Sequence, residues 1–288
     1  MVPSDAIRAR LAAEVRALFA EPSGRRAVTP APQDARLLPQ GSVSFEVHAD
    51  VTAMMAGGIA ALLLQMLHPK ALAGVWDFSN FRRDMAGRLR RTAAFIAVTT
   101  FGSRADAEAA IARVRRIHEA VSGTLPDGTP YRASEPRLLA FVGVTEALSF
   151  LAAWRRYRVP LMPMALQDRY VAEMAVIARA LGAEGMPATR RGAEAMLEAM
   201  RPELRVDART REVARLLLNA PPPRPALAPA HRLLIEAGVD LLPGWARRMH
   251  GLIRPLPAVP LVRAGTGSMG ALLRWALAAP PRAGEKPA

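Results

Sequence analysis

The 288-residue chain contains no cysteine, which excludes disulfides, thiolate-ligated iron, zinc knuckles and cysteine nucleophiles together. Any metal site must draw on five histidines and the carboxylates. Lysine is almost absent as well. Lys70 and Lys286 are the whole supply, so the 39 basic residues, set against 25 acidic ones, give a net charge of +14 carried almost entirely by arginine. Guanidinium groups stay charged and grip carboxylates and phosphates with a planar fork. The excess suits nucleic acid, membrane headgroups or an anionic cofactor, and equally an Ala- and Arg-rich coding bias. Aromatic residues make up only 5% of the chain, few for the platforms on which single strands stack. A nucleic-acid role therefore rests on charge alone, and no specific nucleic-acid partner is expected.

Several standard motifs are missing too: no GxGxxG follows a strand, and there is no GxxxxGK[ST], HExxH or GxSxG. No two histidines stand at i, i+4. The first residues mix Asp5, Arg8, Arg10, Glu14 and Arg16 among apolar ones without the h-region of a signal peptide, so a cytoplasmic location is expected. The longest apolar run, Val51–Leu67, has 17 residues, short of the roughly 20 that a membrane span needs. Its Gly57-Gly58 pair and Gln65 suit a helix buried inside a protein, with peripheral membrane contact left open.

What is present is helical periodicity and, at 51% hydrophobic residues, enough apolar side chain for a sizeable core. The pattern predicts an all-α protein of many helices with at most a short β-hairpin. Helices are expected at Asp5–Ala20, Asp50–Leu67, Arg88–Phe101, Arg104–Val121, Pro136–Tyr157, Met164–Leu181, Thr189–Met200 and Ala208–Asn219. Breakers at Pro69, Gly102, Gly123, Pro160 and Gly182–Pro187 separate them. Extended stretches are expected only near Ser42–Val47 and Thr129–Ala133. The organisation reads as an N-terminal helix and Pro-rich linker over 1–40 and a helical core over 41–220. A helical extension packed on that core follows over 221–278, and then a disordered tail over 279–288, with Pro221–Pro225 as the boundary.

On the helix over Arg104–Val121, Ile111, Val114, His118 and Val121 share one face, so His118 is the polar member of an apolar stripe. A buried imidazole needs a hydrogen-bond partner or a metal, and one histidine alone makes no metal cluster. On the preceding helix Arg88, Arg91, Thr92, Phe95 and Thr99 also share a face, which is either a solvated arginine cluster or a seat for an anion with an apolar body. His68, just after an apolar helix, is placed to cap that helix's last carbonyls. Glu146, sharing a face with Leu139, Gly143 and Phe150, reads as a buried carboxylate paired with an arginine, or as a pocket base.

The segment GGIAALLLQMLHPKALAGVWDFSNFRRDMAGRLRRTAAF, the pair Phe101-Gly102, and RVRRIHEAVSGTLPDGTPYRASEP resemble the family of rubber oxygenases, or latex-clearing proteins, and MpaB-type oxygenases. LGAEGMPAT and MRPEL extend the resemblance, which runs over roughly 41–251. It implies a globin-related helical domain holding haem b, with the histidine of RRIHEAV, His118, as the iron ligand. Arg88, Arg91 and Thr92 of RLRRT match the distal, catalytic set, and Val114 lies in the apolar wrap beside His118. The chain also departs from that pattern. Relatives carry a motif like WVHATLVDS, whereas FVGVTEALS here has Gly143 at the histidine position and Leu148 at the acidic one, a change expected to open the pocket or weaken cofactor binding. Arg91 stands where rubber oxygenases have lysine. Asp77, Asp84 and Glu146 are the nearby acids for a catalytic base.

Three functions follow as expectations. The first is a haem b-dependent oxygenase using dioxygen on a small apolar, lipid- or terpenoid-like substrate, in which Arg88 and Thr92 orient dioxygen. The second is a non-catalytic haem or small-ligand binder. The third is a basic binder of nucleic acid or anionic membrane.

Overall fold

A computed structural model describes residues 8–13, 30–253 and 258–278 of the chain. Residues 8–13 are helical, within the first expected helix. The rest of that helix, residues 21–29 of the linker and the tail expected to be disordered all lie outside the described residues. The described residues form an all-α fold with one two-stranded antiparallel hairpin. In chain order the elements are α1 (Val43–Ala49), α2 (Val51–Gln65), α3 (Pro69–Phe78), α4 (Met85–Phe101), α5 (Arg104–Ala120), β1 (Ser122–Thr124), β2 (Pro130–Arg132) and α6 (Pro136–Tyr157). Then come α7 (Met164–Ala180), α8 (Arg190–Met200), α9 (Ala208–Leu218), α10 (Ala228–Leu241), α11 (Gly244–Met249) and α12 (Ala258–Leu277).

Two local expectations are corrected. The stretch Ser42–Val47 alternates small polar and apolar residues like a strand, yet it folds as α1. The Glu173 carboxylate on α7 accepts hydrogen bonds from the Val43 and Ser44 N–H groups at 3.0 and 2.8 Å, satisfying the open end of the helix from a distance. Pro69 separates two helices as expected, and it also starts α3, because the first helical position needs no N–H donor. His68 accordingly caps the start of α3, its Nδ1 accepting from the Lys70 N–H at 3.3 Å, rather than the end of α2.

The core is built around α2 and α6. α2 is apolar nearly all round and turns nine of its side chains or backbone faces inward. At Gly57 an added Cβ would lie 3.0 Å from the Phe150 Cα, and at Gly238 one would lie 2.6 Å from the Ile59 Cβ. These two glycines let α6 and α10 press directly on α2. α6 is long and apolar enough to cross a membrane, but 72% of its most apolar stretch is buried within the protein.

The segment following the Pro221–Pro225 block lies on this core, α10 against α2 and α12 against α10 and α2. α12 is tied down twice. Arg263 forks onto Asp240 at 2.8 and 3.2 Å, and Arg274 reaches Asp50 at 2.8 Å. Asp240, buried on α10, also takes Arg156 of α6 at 2.6 Å and Arg247 of α11 at 3.6 Å, so one carboxylate gathers guanidinium groups from three helices.

Candidate functional site

The site begins with the turn between α4 and α5. Asp84 closes the start of α4 by accepting from the Gly87 N–H at 2.7 Å. Gly102 ends that helix where a side chain would lie 2.6 Å from the Val98 carbonyl, and Ser103 then caps α5 by accepting from the Asp106 N–H at 3.1 Å. The short turn folds α5 back beside α4. Arg88, in the first turns of α4, and His118, in the last turn of α5, are thereby brought to the same open end. Both line a cavity of about 290 Å³. Its other walls are mostly apolar: Val75 and Phe78 from α3, Ile117 and Val121 beside His118, and Leu138 and Val142 from α6. The hairpin backs this wall through Ala133, and Tyr131 holds it in place by donating to Asp77 at 2.7 Å.

The hydrogen bonding of the five histidines separates them. His48 bonds Thr100 and Tyr170, His68 accepts from Lys70, His231 meets the Ala220 carbonyl at 2.9 Å and His250 the Leu63 carbonyl at 2.8 Å. His118 has no such bond among the described residues, and its Nδ1 is buried. A polar atom left in this state costs roughly 1–3 kcal/mol, so the site is incomplete as a piece of protein core. Burial lowers the His118 pKa and favours the neutral imidazole, whose lone pair is free to bind.

Arg88 is the second available group. It donates to Ser79 Oγ at 2.9 Å and forms no ion pair among the described residues. Burial, and then the neighbouring charge of Arg91, lower its pKa, as expected for a guanidinium that lacks a counter-ion. Arg91 and Thr92 are placed differently. Both are exposed, Arg91 reaching Asp84 at 3.4 Å and Thr92 donating back to the Arg88 carbonyl at 3.3 Å, and neither lines the cavity. Val114, one turn before His118, is half-buried and also off the cavity wall.

Of the three acids near the site, Asp77 accepts from Tyr131 and Asp84 caps α4, so both are occupied. Glu146 is half-buried on α6. It forms no ion pair with an arginine among the described residues, correcting one of the two expectations. Burial pushes its carboxyl up to about 7, with the adjacent Gln65 side chain drawing it partly back. Gln65, the last residue of α2, escaped the sequence reading as a site residue. It lines the cavity, with its buried amide turned to the Glu146 carboxyl.

At Gly143 the expectation of an opened pocket is corrected. A Cβ there would meet Ala178 at 3.0 Å and the Met186 sulfur at 3.3 Å, so the position faces α7 and does not open onto the cavity. His48 was missed because residues 42–47 read as extended. Taken as helical, Ser44, Val47 and His48 fall on one buried side.

The fold and this cavity define an all-α protein with a ligand-sized pocket whose wall carries an imidazole without a hydrogen bond and a guanidinium without an ion pair among the described residues. The chain belongs to the family described as ER-bound oxygenase mpaB/B'/rubber oxygenase, catalytic domain, which matches residues 45–276. The match runs from within α1 to nearly the end of α12 and makes the protein a member of an oxygenase family. Comparisons with curated proteins and with solved structures give no match.

Proposed function

We propose that the protein is a haem b-dependent oxygenase that acts with dioxygen on a small apolar, lipid- or terpenoid-like substrate. The observation that carries this reading is the contrast among the histidines: His118 alone lacks a hydrogen bond among the described residues, and it lies on the same cavity as the unpaired Arg88. Among the described residues no three His, Asp or Glu side chains converge to hold a bare metal ion. A porphyrin brings four nitrogens of its own and asks the protein for one axial donor, an apolar bed and cations for its propionates. His118 is the donor, Arg88 the cation, and Ile117, Val121, Leu138 and Val142 supply the bed. When bound, the group supplies the one-electron and dioxygen chemistry.

The protein's own residues do the rest. The apolar walls exclude water and favour an apolar substrate. Gln65, on the cavity wall, carries an amide that links the cavity to the Glu146 carboxyl. Glu146, with its carboxyl raised to about 7, holds a proton close by that can be released near neutral pH. Arg88 keeps a positive charge at the wall, where developing negative charge would be stabilised.

The test is an absorption spectrum of the purified protein with hemin, before and after reduction under carbon monoxide. A Soret band that shifts with carbon monoxide and is absent from His118→Ala is the expected result; an unchanged band in that variant removes His118 from the site. Arg88→Ala should retain the band and slow substrate-dependent oxygen uptake. The exposed placement of Arg91 and Thr92 favours a second reading, a haem or small-ligand binder without turnover. Oxygen uptake with alkene-containing lipids separates the two.

A further inference from the structure

A second cavity, of about 260 Å³, lies beside the C-terminal half of α6 and shares no lining residue with the first. Its walls are largely apolar, with Leu64, Leu151, Leu197 and Trp245 among them. Two of its polar groups are unsatisfied. Ser149 is 4% exposed, and its Oγ makes no hydrogen bond among the described residues; Arg155 Nε is buried in the same condition. Arg155 also forms no ion pair among the described residues. Glu194 pairs with Arg190 at 2.8 Å and also attracts Arg155, while Glu198 pairs with Arg201. Two guanidinium groups, Arg155 and Arg190, therefore share one carboxylate, Glu194, around an apolar chamber that is also lined by the buried Ser149 hydroxyl.

We propose that this cavity binds an amphiphilic monoacid, an apolar chain ending in a carboxylate that lies between Arg155 and Ser149. The class follows from the charges. One spare guanidinium balances one negative charge, whereas a phosphate dianion would be left in excess and repelled by Glu194 and Glu198. A guanidinium fork matches a carboxylate's two oxygens, and the hydroxyl adds a third donor. The chamber's apolar walls take the chain, in the pattern usual for small-ligand pockets. The inference does not depend on the cofactor reading of the first cavity.

The test is calorimetric titration of the full-length protein with sodium octanoate, with octanol and inorganic phosphate as comparison ligands. One octanoate should bind per chain, with octanol at least about tenfold weaker and phosphate failing to displace it. Arg155→Gln should weaken octanoate about tenfold or more and Ser149→Ala about threefold, while His118→Ala and Arg88→Ala leave it unchanged. Should Arg155→Gln fail to fold, Leu148→Trp, which narrows the chamber from α6, is expected to block binding instead. Equal affinity for octanol, displacement by phosphate, no effect of either cavity variant, or loss of binding in the first-cavity variants would overturn the proposal.

Discussion

His48 is buried and His118 is half-buried with its Nδ1 enclosed, and burial lowers the pKa of each, His48 to about 3. Both are neutral at pH 7, so charge does not distinguish them. Their partners do. His48 sits between α1, α4 and α7 with Thr100 Oγ1 at 2.8 Å from Nδ1 and the Tyr170 hydroxyl at 3.0 Å from Nε2. Phe150 and Tyr170 meet its ring edge-on at centroid distances of 5.7 and 5.8 Å. Every bonding position of that ring is used by the fold. His118 has the same chemistry and none of the partners, which leaves its lone pair to a ligand. A buried histidine is a structural element when its neighbours complete it and a binding element when they do not.

The comparison is tested most sharply by removing each ring. His48→Ala should cost about 2–4 kcal/mol, since it opens a cavity and strands two buried hydroxyls, while the folded fraction still takes up hemin. His118→Ala should cost less than about 1 kcal/mol, because no protein hydrogen bond is lost, and should abolish hemin retention. Urea unfolding and Soret titration of the two variants check both halves; equal destabilisation would erase the distinction.

A smaller effect is expected from pH. The unfolded Glu146 carboxyl ionises near 4.5 and the folded one near 7, so the folded state holds the extra proton in between. Its contribution to stability is complete below 4.5 and is lost as pH rises towards 7, by at most roughly 3 kcal/mol. His48 has the opposite sign: the unfolded imidazole takes up a proton near 6.5 and the folded one near 3, so stability is lost as pH falls through that window. Glu146→Gln should therefore leave only the acid-side loss in unfolding curves between pH 4.5 and 8. A variant that keeps the alkaline-side decline would show that another group is responsible.

The smallest changes are expected on the outer side of α4. Arg91→Ala and Thr92→Ala should each stay within about 0.5 kcal/mol of the parent in stability, since neither side chain is buried. Hemin affinity should also hold. A loss of hemin affinity in either would place that residue at the cavity when the cofactor is present.

Where apolar periodicity decided the structure, the sequence was a sufficient guide. Pro136–Tyr157 folds as a helix with the expected ends, and the helices carrying Arg88 and His118 lie within a few residues of their expected bounds. That both residues would share a cavity was not visible from periodicity, because it depends on α5 folding back along α4. The errors lie where a distant group settles the local choice. Residues 42–47 alternate like a strand until Glu173 caps them as a helix, and His68 reads as the cap of α2 until a new helix starts directly behind it. Gln65 and Ser149 carried no pattern at all. What sets them apart is their place on a cavity wall, a property of the packed molecule alone.

The Asp240 carboxylate, which holds arginines from α6, α11 and α12 at once, makes the end of the chain part of the same cooperative unit as its centre. Shortening the protein at the proline block would leave Arg156 on the central helix without its acid and uncover the surface of α2 that α10 occupies. The terminal segment and the middle of the molecule should accordingly melt together, in a single transition.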